Sequence, residues 1–231
     1  MKAKFIIRQA VCYLLGLLLI ALGINFSKMS AMGISAVSSV PRACELIWGF
    51  TLGTTTIIVY CVLVLLQVVV LRKKFRWINL LGVAVAVVFG KMIDLVGIDP
   101  NAFGHLLLNF PQPEIYPVRL LYTLAAMLMI AAGVFLYLRP QWIPMPAEGL
   151  ASAIATVSGK PFGDCKTLVD SSMIALALIL QLVFLGGLRS FTENVVVREG
   201  TLLLAVLVGQ VVKLISRRFA APLNRFLGKE E

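Results

Sequence analysis

Charge is scarce in this chain. Only 14% of its 231 residues are charged, against 60% that are hydrophobic, and mean hydropathy is +0.95. A soluble domain of this length cannot hide so much apolar surface, so its solvent is lipid. Histidine is scarcer still. His105 stands alone, which leaves no imidazole cluster for a metal and no nucleophile–base pair. The four cysteines (Cys12, Cys44, Cys61 and Cys165) lack metal-ligand spacing and read as small apolar fillers. Glycine-rich phosphate loops and nucleophile elbows are absent too. The expectation is therefore no enzyme, no cofactor and no metal. The net charge of +10 does not point to nucleic acid, because basic residues beside apolar spans normally set membrane orientation.

What the chain does have is long apolar runs. Six read as spans: Ile6–Phe26, Thr54–Leu71, Trp77–Val96, Tyr116–Leu138, Thr167–Leu185 and Val195–Ser216. The first follows Lys2 and Lys4 as a signal peptide would, but it is too long and carries Arg8, so it reads as a retained helix. Fifteen of the 21 basic residues fall in four places: the N-terminus, the 72–76 run, the 139–166 connection and the end of the chain from Lys213. The positive-inside rule then places both termini in the cytoplasm. In a cysteine-free background, a cysteine at position 74 is expected to resist impermeant thiol reagents in intact cells. Ready labelling there would reverse the orientation. Residues 99–115 read as an extracytoplasmic connection, and 219–231 as a basic cytoplasmic tail. The stretch Arg217-Arg218 to Arg225 and Lys229 reads as a basic interfacial helix contacting anionic lipid.

The chain also matches itself. Ile20-Ala21-Leu22-Gly23-Ile24 answers Ile130-Ala131-Ala132-Gly133-Val134, and Arg8 answers Arg119. The run from Leu66-Gln67 to Leu71 answers that from Leu180-Gln181 to Leu185. Phe89-Gly90-Lys91 to Asp94 answers Val208-Gly209-Gln210 to Lys213. Three spans per half force opposite insertion of the halves, 1–98 and 116–218. The fold expected is an all-α membrane protein, a 3+3 inverted repeat with two short interrupted or re-entrant helices, at 30–42 and 147–158. Inverted repeats are the common plan of secondary transporters, with sites near the midplane where interrupted helices meet.

In the first short segment Ser30 suits a helix start and Pro41 a break. In the second, Pro144 and Pro146 suit a start, and Gly159 with Pro161 an end. If both enter the membrane, Ser35, Ser38, Ser39 and Arg42 approach Glu148, Ser152, Thr156 and Ser158. The candidate substrate-binding residues are Ser38, Ser39, Arg42, Glu148, Ser152, Thr156 and Asp170, the last with Lys166 at i−4. Ionisable groups inside spans are costly and mark function by default, so Lys91, Asp94 and Lys213 are candidate coupling or gating charges. Lys91 and Asp94 share a face and could pair.

Four features together resemble the YczE/YyaS/YitT-type bacterial membrane proteins. They are the early Arg8, the Ala21-Leu22-Gly23-Ile24 span end, the Gly33-Ile34-Ser35 to Ser38-Ser39 segment, and Gly90 four before Asp94. The resemblance implies a bacterial inner-membrane protein and names no substrate. Lys213 departs from it where a symmetric acid would stand. The function expected is permease-type movement of a small solute or ion. The alternatives are a passive channel of the same plan, a substrate-binding subunit of a larger complex, and a non-transporting scaffold. The lipid bilayer is the one partner implied, and a homo-oligomer stays open.

Overall fold

The computed structural model of the chain describes residues 2–98, 102, 104, 107, 110–185 and 196–228. His105, Val195 and Lys229, which entered the sequence reading, lie outside the described residues. The described chain is helical: α1 (Lys2–Ser30), α2 (Ala36–Trp48), α3 (Leu52–Leu71), α4 (Leu81–Leu95), α5 (Tyr116–Leu138), α6 (Pro146–Ser158), α7 (Phe162–Phe184) and α8 (Glu199–Phe226). Two short 3-10 turns, Arg72–Lys74 and Trp77–Leu80, carry the basic run between α3 and α4. Six helical stretches are long and apolar enough to cross a membrane, and α2 and α6 are too short to do so. The chain is a multi-pass membrane protein.

Several boundaries differ from the sequence reading. Ser30 ends α1 instead of starting α2: its hydroxyl donates to Ser27 O and accepts from Met32 N. Pro41 lies inside α2 without ending it. It sits in the second turn, so only the bond to Val37 O is forgone, and the buried face around it holds the helix. The fifth span begins at Phe162, before Thr167, because Pro161 supplies the extended N-cap.

The two short helices are geometric copies. Each has 13 residues, with N-cap angles of −59°, 151° at Ser35 and −58°, 149° at Met145. Each ends on a left-handed glycine, Gly49 (71°, 15°) and Gly159 (70°, 7°), the conformation that glycine adopts without penalty. Ala36 to Pro146, Gly49 to Gly159 and Leu52 to Phe162 are each 110 residues apart. Gly23 to Gly133 keeps the same spacing. That register places Ala177, not Gln181, opposite Gln67. The two glutamines matched in sequence are one helical turn out of step.

Helices α1 and α5, the first of each half, cross antiparallel. Cys12 Sγ donates to Leu136 O, Tyr13 meets Tyr137 edge-on at 6.0 Å, and Phe26 meets Tyr122 at 5.6 Å. The backbones nearly touch through glycine. A Cβ on Gly16 would stand 2.8 Å from Gly133 O, and one on Gly23 2.9 Å from Ala126 O. With the register of 110 these are one contact made twice, since 126 answers 16 and 133 answers 23. Isologous contact of this kind defines a two-fold axis across the helices, so the halves point in opposite directions. Small residues let membrane helices approach this closely. Arg8 and Arg119 are not symmetric anchors: Arg8 lies over the Phe226 ring at 4.8 Å, whereas Arg119 donates to Pro113 O.

The remaining packing repeats under the same exchange. α3 packs on α6 as α7 packs on α2, and α4 lies on α1 as α8 lies on α5. One pair breaks the rule. α3 packs closely on α4, whereas α7 and α8 make no comparable contact.

Candidate functional site

The short helices do not pack on each other. Each lies against the long helix that follows the other short helix, so the two halves interlock along α2–α7 and α3–α6. α2 reaches deep into the protein. Ser39 Oγ donates to Ala36 O and to Met173 O at the centre of α7, and Ser38 Oγ accepts from Ser35. Both serines are buried: Ser39 ties α2 to α7, Ser38 is held by the N-cap of its own helix, and neither opens to a cavity. Arg42 Nη1 stands 2.7 Å from Glu45 Oε2, and Lys28 Nζ donates to Glu45 Oε1. Glu45, buried between two cations, was not singled out in the sequence. Its spacing of three from Arg42 on a short helix was the available signal.

α6 is the more open of the two. Gly149 backs onto Gln67 of α3, which donates from Nε2 to Pro146 O. Ser152 and Thr156 face outward and line a cavity of about 590 Å³ with Gln67, Lys74, Arg76 and Asn79. This cavity opens at the face carrying the basic run, called here the basic face. Its walls come from both halves: α3 and the 72–82 segment on one side, α6 and the 141–144 segment on the other. Lys74 and Arg76 entered the sequence reading only as orientation signals. Nothing local in the sequence brings them to α6.

Glu148, in the first turn of α6, keeps Oε2 enclosed without a hydrogen-bond partner. Its electrostatic neighbours are Lys166 and Asp170 of α7, and it adds to the field at Tyr13 and Tyr60. Asp170 is not free for a ligand, because both its oxygens accept from Lys166 Nζ, at 2.5 and 2.6 Å. An enclosed carboxylate oxygen without a donor is expensive, so Glu148 is the residue of α6 with most to gain from a proton or a cation.

Of Asp94, Lys91 and Lys213, only Asp94 falls at a helix contact, that of α3 with α4. Asp94 is buried. It accepts from Gly53 N at 2.9 Å and from Thr51 Oγ1 at 2.9 Å, pinning the end of α4 to the start of α3. Gly53 and Gly90 make that approach possible, since a Cβ on Gly90 would stand 2.6 Å from Gly53 O. Lys91 is exposed and does not pair with Asp94. In the second half the equivalents are Gly163 for Gly53, Asp164 for Thr54, Gly209 for Gly90 and Lys213 for Asp94. Gly163 and Gly209 have no neighbouring atom within 4 Å of an added Cβ. Asp164 and Lys213 are both exposed and unpaired among the described residues.

The chain belongs to a family of unknown function, DUF6198, whose model matches residues 7–217. It is similar to the uncharacterized protein YyaS of Bacillus subtilis (strain 168), with 27% identity over 195 residues, 83% of this chain and 88% of that one. No solved structure matches.

Proposed function

We propose that this protein is a permease-type carrier of a small solute, working by exchange of two packings between its inverted halves. The observation that carries this reading is the unequal packing of equivalent helices. At the end far from the basic face, α3 is closed on α4 through Gly53, Gly90 and Asp94. At the basic face, the equivalent α7 and α8 stand apart. Exchanging the two arrangements would close the basic face and open the far one, which is alternating access between inverted repeats. The cavity beside Ser152 and Thr156 then lies on the open side. Glu148, near the seam, is the coupling group, holding a proton or a cation.

The pairing chemistry suits that closure. Where Asp94 accepts from the Thr51 hydroxyl and the Gly53 amide in one half, Lys213 would meet the carboxylate of Asp164 in the other. The substitution of a base for an acid on α8 is matched by an acid on α7. A passive channel of the same plan would hold one packing throughout.

Spin labels in lipid nanodiscs separate the two. One pair sits at Ser171 and Gln210, the other at the equivalent Cys61 and Lys91, in a background otherwise free of cysteine. Two distance populations are expected in each pair. Lys213→Asp should shrink the short α7–α8 population about tenfold, equivalent to roughly 1.4 kcal/mol, and Asp164→Lys should restore it. A single fixed distance in both pairs would sink the carrier reading.

A further inference from the structure

We infer that the cavity at the basic face binds a small anion bearing a carboxylate or phosphate group. As a statement about substrate class, this rests on the carrier reading above. As a statement about binding, it stands on the cavity itself.

The cavity, of about 590 Å³, is within the range of small-molecule sites. Its charged lining residues are Lys74 and Arg76, and no carboxylate lines it. Neither cation forms an ion pair among the described residues. An arginine fork takes carboxylate or phosphate through two parallel bonds, with a lysine beside it as a point charge. The opposite wall offers the hydroxyls of Ser152 and Thr156 on α6, and Gln67 and Asn79 add carboxamides. Glu148 would oppose an anion, but it is outside the lining.

Two glycines let the wall helices pack closely. Gly82 and Gly149 both form wall, and a Cβ on Gly149 would come within 2.8 Å of Gln67 Oε1. The Pro146 bond fixes Gln67 in turn. A cationic solute entering here would meet two unshielded positive charges. The walls belong to opposite halves, so an anion bridging the basic run and α6 would touch both repeats, as a carrier's ligand must.

Either a free solute or the headgroup of an anionic lipid could supply this chemistry, because the basic run lies at the membrane surface. Purified full-length protein in neutral detergent separates them. Inorganic phosphate and succinate are titrated at constant ionic strength, with choline as the cationic control. At least one anion should raise the melting temperature saturably, and choline should not. Lys74→Gln with Arg76→Gln, and independently Ser152→Leu, should each weaken that binding at least tenfold. No saturable shift with either anion, or an undiminished shift in both variants, would overturn the site. Saturable binding of phosphatidylglycerol in phosphatidylcholine nanodiscs, undisplaced by either soluble anion, would assign the cavity to lipid and overturn the solute. Binding of the anion without its uptake into proteoliposomes would uphold the site and remove the carrier.

Discussion

Replacing Gly133 with leucine is expected to lower the melting temperature of the detergent-solubilised protein by roughly 6–12 °C. A Cβ at Gly133 would stand 2.6 Å from both Gly16 O and Ile20 Cγ1, and 2.8 Å from Ile20 N. Two of those three atoms are backbone, so no rotamer change clears them, and α1 must separate from α5. Overpacking costs typically about 1–3 kcal/mol. A rigid crossing falls at the upper end, and each kcal/mol moves the melting point of a chain this long by about 2–4 °C. Gly209→Leu is the control. Nothing lies within 4 Å of a Cβ there, so stability should hold or rise slightly, leucine being the better helix former. The same variant should abolish the short Ser171–Gln210 distance, because the side chain would block α8 from closing on α7. Equal destabilisation by both substitutions would mean that the α1–α5 contact is not the tight axis of the fold.

Glu45→Ala is expected to cost about 3–5 kcal/mol, the usual loss when one member of a buried ion pair is removed. Lys28 and Glu45 side chains are only 5% and 7% exposed, and Arg42 18%. Without the carboxylate, two cations face each other across little water. Chemical unfolding in mixed micelles would measure the loss. Arg42→Gln alone should cost much less, since Lys28 remains to pair with Glu45 and Arg42 is nearest to solvent. Glu45 Oε2 is at ion-pair distance from Arg42 but without hydrogen-bond alignment, which points the same way. Equal losses for the two variants would make Arg42, not Lys28, the main partner. The cluster binds α1 to α2 at the far end, so it is a structural clamp and a poor choice of ligand group.

The two expected outcomes divide what sequence can say from what it cannot. Apolar runs of span length, the clustering of lysine and arginine beside them, and a repeat detectable at Gly23 and Gly133 are local or periodic properties. They determined an all-helical membrane protein with six spans in two opposed halves. The punctuation of α6 by Pro146 and Gly159 was equally legible, because proline and glycine act on their own turn. Pro41 misled, because the burial that carries α2 through it comes from a helix more than a hundred residues away.

The candidate site was read only in part, for the same reason. Ser38, Ser39 and Arg42 looked like binding groups on composition. Ser39 is tied by the interlock to Met173 of α7, while Ser38 and Arg42 are held by Ser35 and Glu45 of α2 itself, which makes all three structural. Ser152 and Thr156 line a cavity, but the cations that give it a sign arrive from the α3–α4 turn. Whether Lys213 opposes an acid or replaces one depends on how α8 faces α7. Sequence carries length, pattern and register because these need only neighbours along the chain. Which equivalent contact is closed, which is open, and what charge faces a cavity are decided by packing between distant segments, and only the tertiary structure holds them.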